Sequence, residues 1–425
     1  MTDSESQFNQ VRSDHLILLV GGNPLPNAVS ACLLLKQGGR VTLIYSKGSL
    51  DVARRLADWL RQRLQAVIDP VNAQLCVQEQ EPASIYNRVQ SALNQYEDSA
   101  VGLNYTGGTK AMAVHAYRAV EAWAASNNRS AIFSYLDART NCMFFDASPW
   151  VIPVDLAVSL ELQDMLALHG WTLDSMLKPV QTPILPGTAR AIAAAYVAGC
   201  GSSSTYYAEW KRDELYPNAQ KQSGHDWKSN VDLRQTAIAW PAGRQLAAVA
   251  QALKQETGLD NQPQLHLGLA GYKVGLSAVD FCRWLDGLWL EHHVLDVLTH
   301  NLRLKAFQGV KIKTHGASFD LDVVTVVGHH LFAFSCGTAI GKRARSELKL
   351  KLFEAVLRAR QLGGDHAGVA LVTVVDSSLA LSIQNEVRQQ IDADERIRVF
   401  DCAQLGQLDQ CISHWIFGEQ VKSKC

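Results

Sequence analysis

Residues 103–112 read LNYTGGTKAM and join a predicted strand at 101–104 to a predicted helix at 111–125. Gly107 and Gly108 allow the backbone to turn sharply and to bring its N–H groups close to a ligand. The N-terminus of the helix adds further donors and a dipole that favours an anion. A plain turn in which Thr109 caps the helix is the alternative, and the spacing of a P-loop is absent. The pattern predicts an anion site with contacts from Asn104, Thr106, Gly107, Gly108, Thr109 and Lys110.

A second glycine loop follows the first apolar run of the chain. Residues 16–20 read LILLV and are predicted to form a strand, and residues 27–36 are predicted to be helical. The loop between them contains Gly21, Gly22 and Asn23. If both strands are parallel and central, the two loops lie at one carboxyl edge of the sheet, where ligands bind in such sheets. Together the loops predict an anion-binding crevice, although the glycine pair alone is equally typical of a tight turn.

Short apolar strands alternate with helices along the first 150 residues. Strands are predicted at 41–45, 75–78 and 101–104, with helices at 50–66 and 83–95. This alternation predicts an α/β domain with a parallel sheet and helices on both faces. The pattern changes after Ala147. We therefore predict a first domain at 1–150, a small, mostly helical middle module at 151–270 with a helix at 154–169, and a C-terminal α/β domain at 271–425.

The composition is that of a soluble globular protein. Of the 425 residues, 47% are hydrophobic and 19% are charged, with 40 Lys and Arg against 41 Asp and Glu. This balance excludes general disorder, and a formal net charge of −1 means that any contact with nucleic acid must come from a local patch. There is no signal-peptide pattern and no run of about 18 apolar residues, so we predict a cytoplasmic protein without a membrane partner. The nine cysteines include no C-x-x-C pair, and they predict neither a disulfide framework nor a thiolate zinc site.

The segment 103–112 resembles the signature of CARF domains, the cyclic oligoadenylate sensors of type III CRISPR systems, and the loop at 21–23 fits that family. The resemblance implies a Rossmann-like fold and a homodimer that binds a ring of adenylates across its two-fold axis. It also implies that the Thr-Gly-Gly-Thr-Lys segment contacts phosphate and ribose. A ring of four adenylates suits a symmetric dimer, because each protomer can read half of it through the same residues. We therefore predict cyclic tetra-adenylate as the ligand.

The C-terminal region resembles the restriction-endonuclease-like domain of CARF-fused CRISPR nucleases, which has a PD-(D/E)xK fold. A helical period runs over 278–302, followed by predicted strands at 310–313, 321–327 and 331–334, a helix at 345–362 and a strand at 368–375. The resemblance aligns Asp322 with the first catalytic aspartate and Glu291 with the upstream helix carboxylate. In such nucleases these groups hold divalent metals that activate water and offset charge on the cleaved phosphate. The resemblance implies catalytic and metal-binding roles for both, with Mg²⁺ or Mn²⁺ as cofactor if the site is active.

The strand that should carry Glu-x-Lys departs from this pattern. Ser335 stands at the glutamate position and Gly337 at the lysine position. A serine hydroxyl is a poor ligand for a hard cation, and glycine offers no charge. We take Lys351, on the next helix, as the catalytic candidate that replaces the lost lysine. Other groups that can have moved into the site are Asp320, Glu347 and Lys349, and a solvated face is the alternative for each of the four.

These features lead to one main hypothesis and two alternatives. In the main hypothesis a dimeric CARF domain binds cyclic tetra-adenylate and controls a nuclease-like domain with weak or no cleavage, whose output is binding of nucleic acid or of a protein partner. DNA or RNA would contact the basic stretch at 341–345 and its continuation along the helix, for which an ordinary charged face is the alternative. The second hypothesis is a metal-dependent DNA or RNA nuclease that the cyclic nucleotide activates. The third is a CARF domain that slowly cleaves its own ligand by in-line attack of a ribose hydroxyl.

Overall fold

The computed structural model describes residues 3–72, 74–94, 100–137, 140–147, 150–154, 157–174, 178–202, 205–222, 224, 226–314, 316–391 and 396–418. Within these ranges the strands form two large sheets and one two-stranded sheet, and helices pack against both large sheets. The predicted α/β class is confirmed. None of the helices in these ranges combines the length and the apolar character that crossing a membrane requires.

The first sheet is built around β1 (Ser13–Val20), which reads SDHLILLV and is buried along almost its whole length. Its last five residues, LILLV, form a continuous apolar run, which is typical of a central strand that is covered on both faces. The other strands are β2 (Leu35–Ser46), β3 (Val67–Ile68), β4 (Cys76–Val77), β5 (Val101–Asn104), β6 (Ala131–Asp137), β7 (Cys142–Phe145) and β8 (Val151–Pro153). Their order is β3-β2-β1-β5-β6-β7-β8, and β4 also pairs with β2.

This sheet is mixed, so the prediction of a parallel sheet is only partly right. Strand β1 pairs in parallel with β2 and β5, and β5 pairs in parallel with β6, but β7 runs antiparallel to both β6 and β8. The connection from Asp137 to Cys142 is too short for a crossover, and the chain therefore returns as a hairpin. Strand β2 begins inside the stretch predicted to be helical, because Leu35 is extended and pairs with Ser13.

Helices cover both faces of the first sheet. They are α1 (Asp3–Gln10), α2 (Leu25–Leu34), α3 (Leu50–Leu64), α4 (Pro82–Leu93), α5 (Lys110–Ser126) and α6 (Leu162–His169). Helices α2, α3 and α6 share one apolar cluster with the sheet, and α4 and α5 share another on the opposite face. Helix α6 is shorter than the predicted helix at 154–169. It begins after Glu161, whose backbone N–H donates to the Asp164 carboxylate over 2.8 Å and so caps the helix.

The middle of the chain is mainly helical, but it also contributes short strands. Its helices are α7 (Pro186–Ala198), α8 (Tyr206–Trp210), α9 (Tyr216–Ala219), α10 (Asn230–Arg234), α11 (Ala247–Thr257) and α12 (Leu267–Lys273). Its strands are β9 (Thr172–Leu173), β10 (Ala237–Ile238) and β11 (Leu265–His266), of which the last two form the small sheet. One buried cluster joins these helices to the second large sheet, since Leu253 and Tyr207 belong to the same cluster as Val323 and Phe334.

The second large sheet contains β12 (Ala306–Lys313), β13 (Ser318–Val327), β14 (His330–Gly337), β15 (Gly368–Thr373) and β16 (Ile397–Phe400), in the order β16-β15-β14-β13-β12-β9. Its helices are α13 (Ala278–Arg283), α14 (Trp289–Asp296), α15 (Ala344–Gly363), α16 (Ser377–Gln390) and α17 (Leu408–Phe417). A π-helical turn, Trp284–Leu288, joins α13 to α14, and a second, Val297–Asn301, extends α14. The helical stretch predicted from residue 278 and the strands and long helix after it are therefore confirmed.

One of the apolar clusters runs from the first large sheet into the second. One cluster contains Leu18 and Leu43 from the first sheet together with Val324 and Leu331 from the second. All four side chains are almost completely buried. The two sheets are thus held together by apolar packing as well as by the chain that connects them.

Cys200 and Cys402 form a disulfide, a single pairing that the cysteine pattern, which predicts no disulfide framework, did not indicate. The two residues are separated by 202 positions in the chain. They meet because α7 packs against the 3₁₀ turn Cys402–Gln407. Spacing in the sequence carries no signal for a contact of this kind.

Candidate functional site

The two glycine loops predicted to form a crevice are in contact. Leu18 of β1 pairs with Asn104 of β5, so these neighbouring parallel strands end at the same edge of the first sheet. A Cβ atom placed on Gly21 would lie 3.0 Å from the backbone nitrogen of Gly108. The loops that follow β1 and β5 therefore pack backbone against backbone.

Glycine is required at the centre of the second loop. A Cβ atom on Gly107 would lie 2.2 Å from the carbonyl oxygen of Leu19, which is backbone and cannot move aside. Gly108 has a φ of +75°, in the left-handed region that favours glycine. Asn27 fixes the other side of this junction by donating from its amide to the Leu19 carbonyl at 2.9 Å. The close approach brings the backbone of the loop to the end of β1.

Asn104 and Thr106 turn inward and hold the loop in place. Asn104 is fully buried, and its amide donates to the Ser134 hydroxyl at 3.2 Å. The Thr106 hydroxyl accepts a hydrogen bond from the backbone N–H of Leu136 at 2.7 Å. Both side chains thus tie the loop to β6. Their role in the crevice is to hold the loop in position.

Thr109 and Lys110 are exposed at the start of α5. The Thr109 hydroxyl accepts from the Met112 N–H at 3.2 Å and so caps the helix, as the alternative for this loop predicted. Capping and anion binding are compatible, because the remaining N–H groups of the first turn still point outward. Lys110 stands beside these groups at the surface.

Gly22 and Asn23 reach away from this loop, toward the end of α15. Both are exposed, and the Asn23 side chain accepts from the Leu25 N–H at 3.0 Å. The amide nitrogen of Asn23 lies 2.7 Å from the position of a Cβ atom on Gly364, the residue that follows α15. The first glycine loop therefore contacts both the second glycine loop and the end of α15.

The second candidate site lies where α14, β13 and α15 meet. Asp322 on β13 accepts three hydrogen bonds at Oδ2: from the Ser335 hydroxyl at 3.2 Å, from the Cys336 N–H at 2.8 Å and from the Lys351 ammonium at 3.1 Å. Lys351 also donates to the carbonyl of Cys336. The structure thus brings the predicted lysine on the helix to the predicted aspartate.

Gly337 explains how the helix comes so close. A Cβ atom on Gly337 would lie 2.3 Å from Cδ2 of Leu348, which is buried and lies one turn before Lys351. A lysine at position 337 would occupy the space that Leu348 fills. Glycine at position 337 therefore has two effects. It leaves the strand without a lysine, and it lets α15, which carries Lys351, pack close to the strand.

Glu291 completes this group of charges from α14. Burial raises its pKa to about 7, and the neighbouring charge of Asp322 acts in the same direction. Burial lowers the pKa of Lys351, but the combined effect of Asp322, Cys336 and Glu291 is larger, so the pKa is raised overall. Lys351 is therefore charged at neutral pH, whereas Glu291 takes up a proton near neutrality.

Gln308 belongs to this site and was missed in the sequence. Its side-chain amide donates to Glu291 Oε2 at 2.7 Å, a contact that favours the ionised carboxylate. Strand β12 reads AFQGVKIK, and its inward positions are Ala306, Gln308, Val310 and Ile312. The sequence did carry a signal for this residue, because a glutamine stands among inward-facing positions that are otherwise apolar.

A cavity of 460 Å³ opens beside Glu291 and Lys351. Glu347 also lines it, but Asp320 is exposed outside it and Lys349 is bound to Glu386 at 2.6 Å. In the described part of the chain no three His, Cys, Asp or Glu residues are grouped so that they can hold a metal ion. Glu291 and Asp322 are the carboxylates closest to Lys351 in charge interaction, and Asp286 and Glu347 are further carboxylates on the cavity wall.

The basic stretch at the start of α15 is only partly free to meet a polyanion. Arg345 and Lys349 both pair with Glu386, and Arg358 pairs with Glu354 at 3.5 Å. Lys342 and Arg343 are exposed. The charged-helix alternative thus describes the middle of α15 well, whereas the turn before the helix presents its positive charges to solvent.

Among comparisons with known proteins, only the comparison of structures finds similar proteins. No family model matches the chain, and no curated protein matches it in sequence. Can2 from Sulfobacillus thermosulfidooxidans, solved in complex with cyclic tetra-adenylate, is 16% identical with a TM-score of 0.63, covering 95% of this chain and 99% of that chain. VC1899 from Vibrio cholerae is 13% identical with a TM-score of 0.61, covering 95% and 97%. The chain therefore has the same fold as Can2 over nearly its entire length.

Proposed function

We propose that this protein is a cyclic tetra-adenylate sensor of a type III CRISPR system, in which a CARF domain controls a nuclease-like domain. The observation that carries the proposal is the contact of the Gly21 loop with Gly108 at one edge of the first sheet. That contact places the N-terminus of α5 and Lys110 beside a narrow backbone junction, which is suitable for an anion. The shared fold adds support, because the structure of Can2 holds cyclic tetra-adenylate.

The proposal includes a homodimer. A strip of half-buried aromatic rings continues outward from the ligand loop. In it Tyr117 stacks on Phe133 with centroids 4.2 Å apart, and Tyr135 stacks on Phe144 at 5.1 Å, while Tyr105 lies 5.5 Å from Tyr135. Apolar patches of this kind mark interaction surfaces. We assign the strip to the second protomer, because its position beside the loop lets one symmetric ligand touch both copies.

The C-terminal site suits binding of a divalent cation by two carboxylates. Mg²⁺ commonly takes one or two protein carboxylates and keeps several waters, so Glu291 and Asp322 fit Mg²⁺ or Mn²⁺. When bound, such an ion supplies Lewis-acid chemistry at a phosphate and lowers the pKa of a water. Lys351 donates to Oδ2 of Asp322, so its ammonium competes with a cation for this carboxylate. This competition, together with serine at position 335, supports weak or absent cleavage, with binding of nucleic acid or of a partner as the output.

A metal-dependent nuclease that the ligand activates is the second candidate. The specific observation in its favour is the position of Lys351. Its ammonium lies beside Asp322, where the lysine of a Glu-x-Lys motif would otherwise stand. A charge there can stabilise the phosphate in the transition state. In this version Glu291, Asp322 and Lys351 act together on DNA or RNA.

One assay separates the two candidates. Supercoiled plasmid or single-stranded RNA is incubated with the protein and Mg²⁺ or Mn²⁺, with and without cyclic tetra-adenylate. Under the main proposal the ligand promotes nucleic-acid binding without cleavage. Cleavage that needs the ligand and is lost in Asp322→Ala, but retained in the exposed control Asp320→Ala, establishes the second candidate instead. Calorimetry that shows no heat with cyclic adenylates of any ring size overturns the sensor itself.

A further inference from the structure

A cavity of 560 Å³ lies where the first glycine loop meets the C-terminal domain. Gly22 and Asn23 form one wall, and the other walls come from α3, from the end of α6 and the residues after it, from the end of α15, and from described residues just before and within the first part of β13. Among the described residues that line the cavity, none is acidic. The side chains that give the cavity its chemistry are Asn23, Arg55, His169, Trp171, Phe319 and Arg360.

The two arginines enter this cavity from different parts of the chain. Arg55 donates through Nε to the carbonyl of Leu168 at 3.1 Å, which fixes its side chain and leaves the outer nitrogens of the guanidinium available. The side chain of Arg360 forms no ion pair with the described residues. Two positive charges that face one cavity without a carboxylate repel each other, and an anion between them removes that repulsion. Planar guanidinium groups are well suited to phosphate oxygens.

An aromatic surface lies beside the two cations. The Trp171 ring lies 5.7 Å from Phe319, nearly perpendicular to it, and 5.1 Å from His169. These neighbours hold the indole at the cavity wall. Aromatic faces of this kind accept nucleobases by stacking. The combination of two guanidinium groups and an indole is the chemistry that recognises a nucleotide.

We propose that this cavity is a second phosphate subsite for the nucleotide ligand, with Arg55 and Arg360 as its anion-binding groups. The inference rests on the proposed function, because the ligand is taken to be the cyclic tetra-adenylate bound at the glycine loops. Gly21, which contacts Gly108, and Asn23, which lines the cavity, are two residues apart and so within about 7 Å of each other. One ring of nucleotides can therefore reach both places.

This position gives the ligand a direct contact with the helix of the second site. Arg360 and Lys351 lie on the same unbroken helix, α15, with a rise of about 13 Å between them. Asn23 packs against Gly364, which follows α15, so a ligand held at Arg360 contacts the same helix that carries Lys351.

Calorimetric titration of the full-length protein with cyclic tetra-adenylate tests the subsite. We expect Arg55→Ala and Arg360→Ala each to weaken binding about tenfold or more. Each is also expected to reduce the slope of log affinity against log salt concentration by about one, which lost packing alone would not do. Arg54→Ala is the matched control, because Arg54 precedes Arg55 on α3 but is exposed and paired with Asp51. Arg360→Gln replaces Arg360→Ala if thermal unfolding shows that the alanine variant is not folded.

The outcomes separate this inference from the proposed function. If the unaltered protein binds the ligand and Lys110→Ala weakens binding, while the Arg55 and Arg360 variants match Arg54→Ala in affinity and salt slope, the subsite is overturned and the sensor stands. If the unaltered protein binds no cyclic adenylate, the sensor and the subsite both fall. Weakened binding in both arginine variants, with a smaller salt slope and an unchanged control, supports the subsite.

Discussion

The ammonium of Lys351 lies 3.1 Å from Oδ2 of Asp322, although Asp322 is on strand β13 and Lys351 is on helix α15. The lysine comes from the middle of α15 and not from the strand beside the aspartate, because position 337 is a glycine against which Leu348 packs. The charge lost from the strand is therefore supplied by the helix.

Removing that ammonium should shift the titration of Glu291. Lys351 stabilises the ionised form of Glu291, whose pKa is already raised to about 7 by burial and by Asp322. We expect Lys351→Ala to raise the Glu291 pKa further, as measured by carbon-detected NMR of labelled glutamate. Lys349→Ala is the control, since Lys349 pairs with Glu386. An unchanged Glu291 pKa in Lys351→Ala would show that the two charges do not interact.

The raised pKa of Glu291 also predicts a dependence of stability on pH. The folded-state pKa is about 7 and the ordinary value is 4.5. Ionisation is thus less favourable in the folded protein, and the stability present below about pH 4.5 is lost as pH rises toward 7. At about 1.4 kcal/mol per pKa unit, this cost is roughly 3 kcal/mol at pH 8. Urea unfolding should show Glu291→Gln gaining stability over the unaltered protein between pH 5 and pH 8, and an equal difference at both pH values contradicts the assignment.

The contact between Gly337 and Leu348 can be tested by a double-mutant cycle. A methyl group at position 337 overlaps the Leu348 side chain, so Gly337→Ala should destabilise the protein by about 1–3 kcal/mol. Because Leu348→Ala vacates that space, the double variant should lose at least about 1 kcal/mol less than the sum of the single variants. Denaturant unfolding measures all four proteins. Gly48→Ala, where the added methyl meets only ordinary contacts, is the control, and strict additivity would refute the steric explanation.

The glycine junction should be essential for ligand binding. Gly107→Ala forces a methyl group to within 2.2 Å of the Leu19 carbonyl and must push the loop away from β1. We expect it to reduce cyclic tetra-adenylate affinity more than tenfold, as measured by calorimetry. Lys110→Ala removes only an exposed charge, so it should weaken binding about tenfold at low salt with little change in unfolding temperature. Arg118→Ala, farther along α5, serves as the control for charge, and full affinity in Gly107→Ala would remove the junction from the site.

Sequence patterns with a local cause were the ones that predicted the structure well. The apolar run of β1, the loop at Gly107 and the helical stretch from Ala278 depend on neighbouring residues, and all three are found close to the predicted positions. Lys351 was one of four groups considered as replacements near Asp322, with a solvated face as the alternative for each. The structure places its ammonium 3.1 Å from Asp322, a contact between residues far apart in the chain that the sequence did not by itself decide.

Features that depend on distant parts of the chain were missed. Gln308 was passed over because its partner Glu291 lies on another element, and the Cys200–Cys402 disulfide joins residues that only the folded chain brings together. Strand β7 runs antiparallel to β6 because the connection between them is short. The sequence shows this short connection, but only parallel strands were predicted for this sheet. The packing of Asn23 against Gly364 had no local signal, and the second anion subsite depends on that junction.

The apolar core that continues from the first sheet into the second determines how the protein can be divided. A fragment that ends near residue 150 loses α6, which packs on α3, and exposes to water the side chains that met Val324 and Leu331. Such a piece is expected to aggregate, and its failure to bind nucleotides would say nothing about the intact molecule. Sensing and output therefore have to be separated by single substitutions in the complete polypeptide and not by truncation.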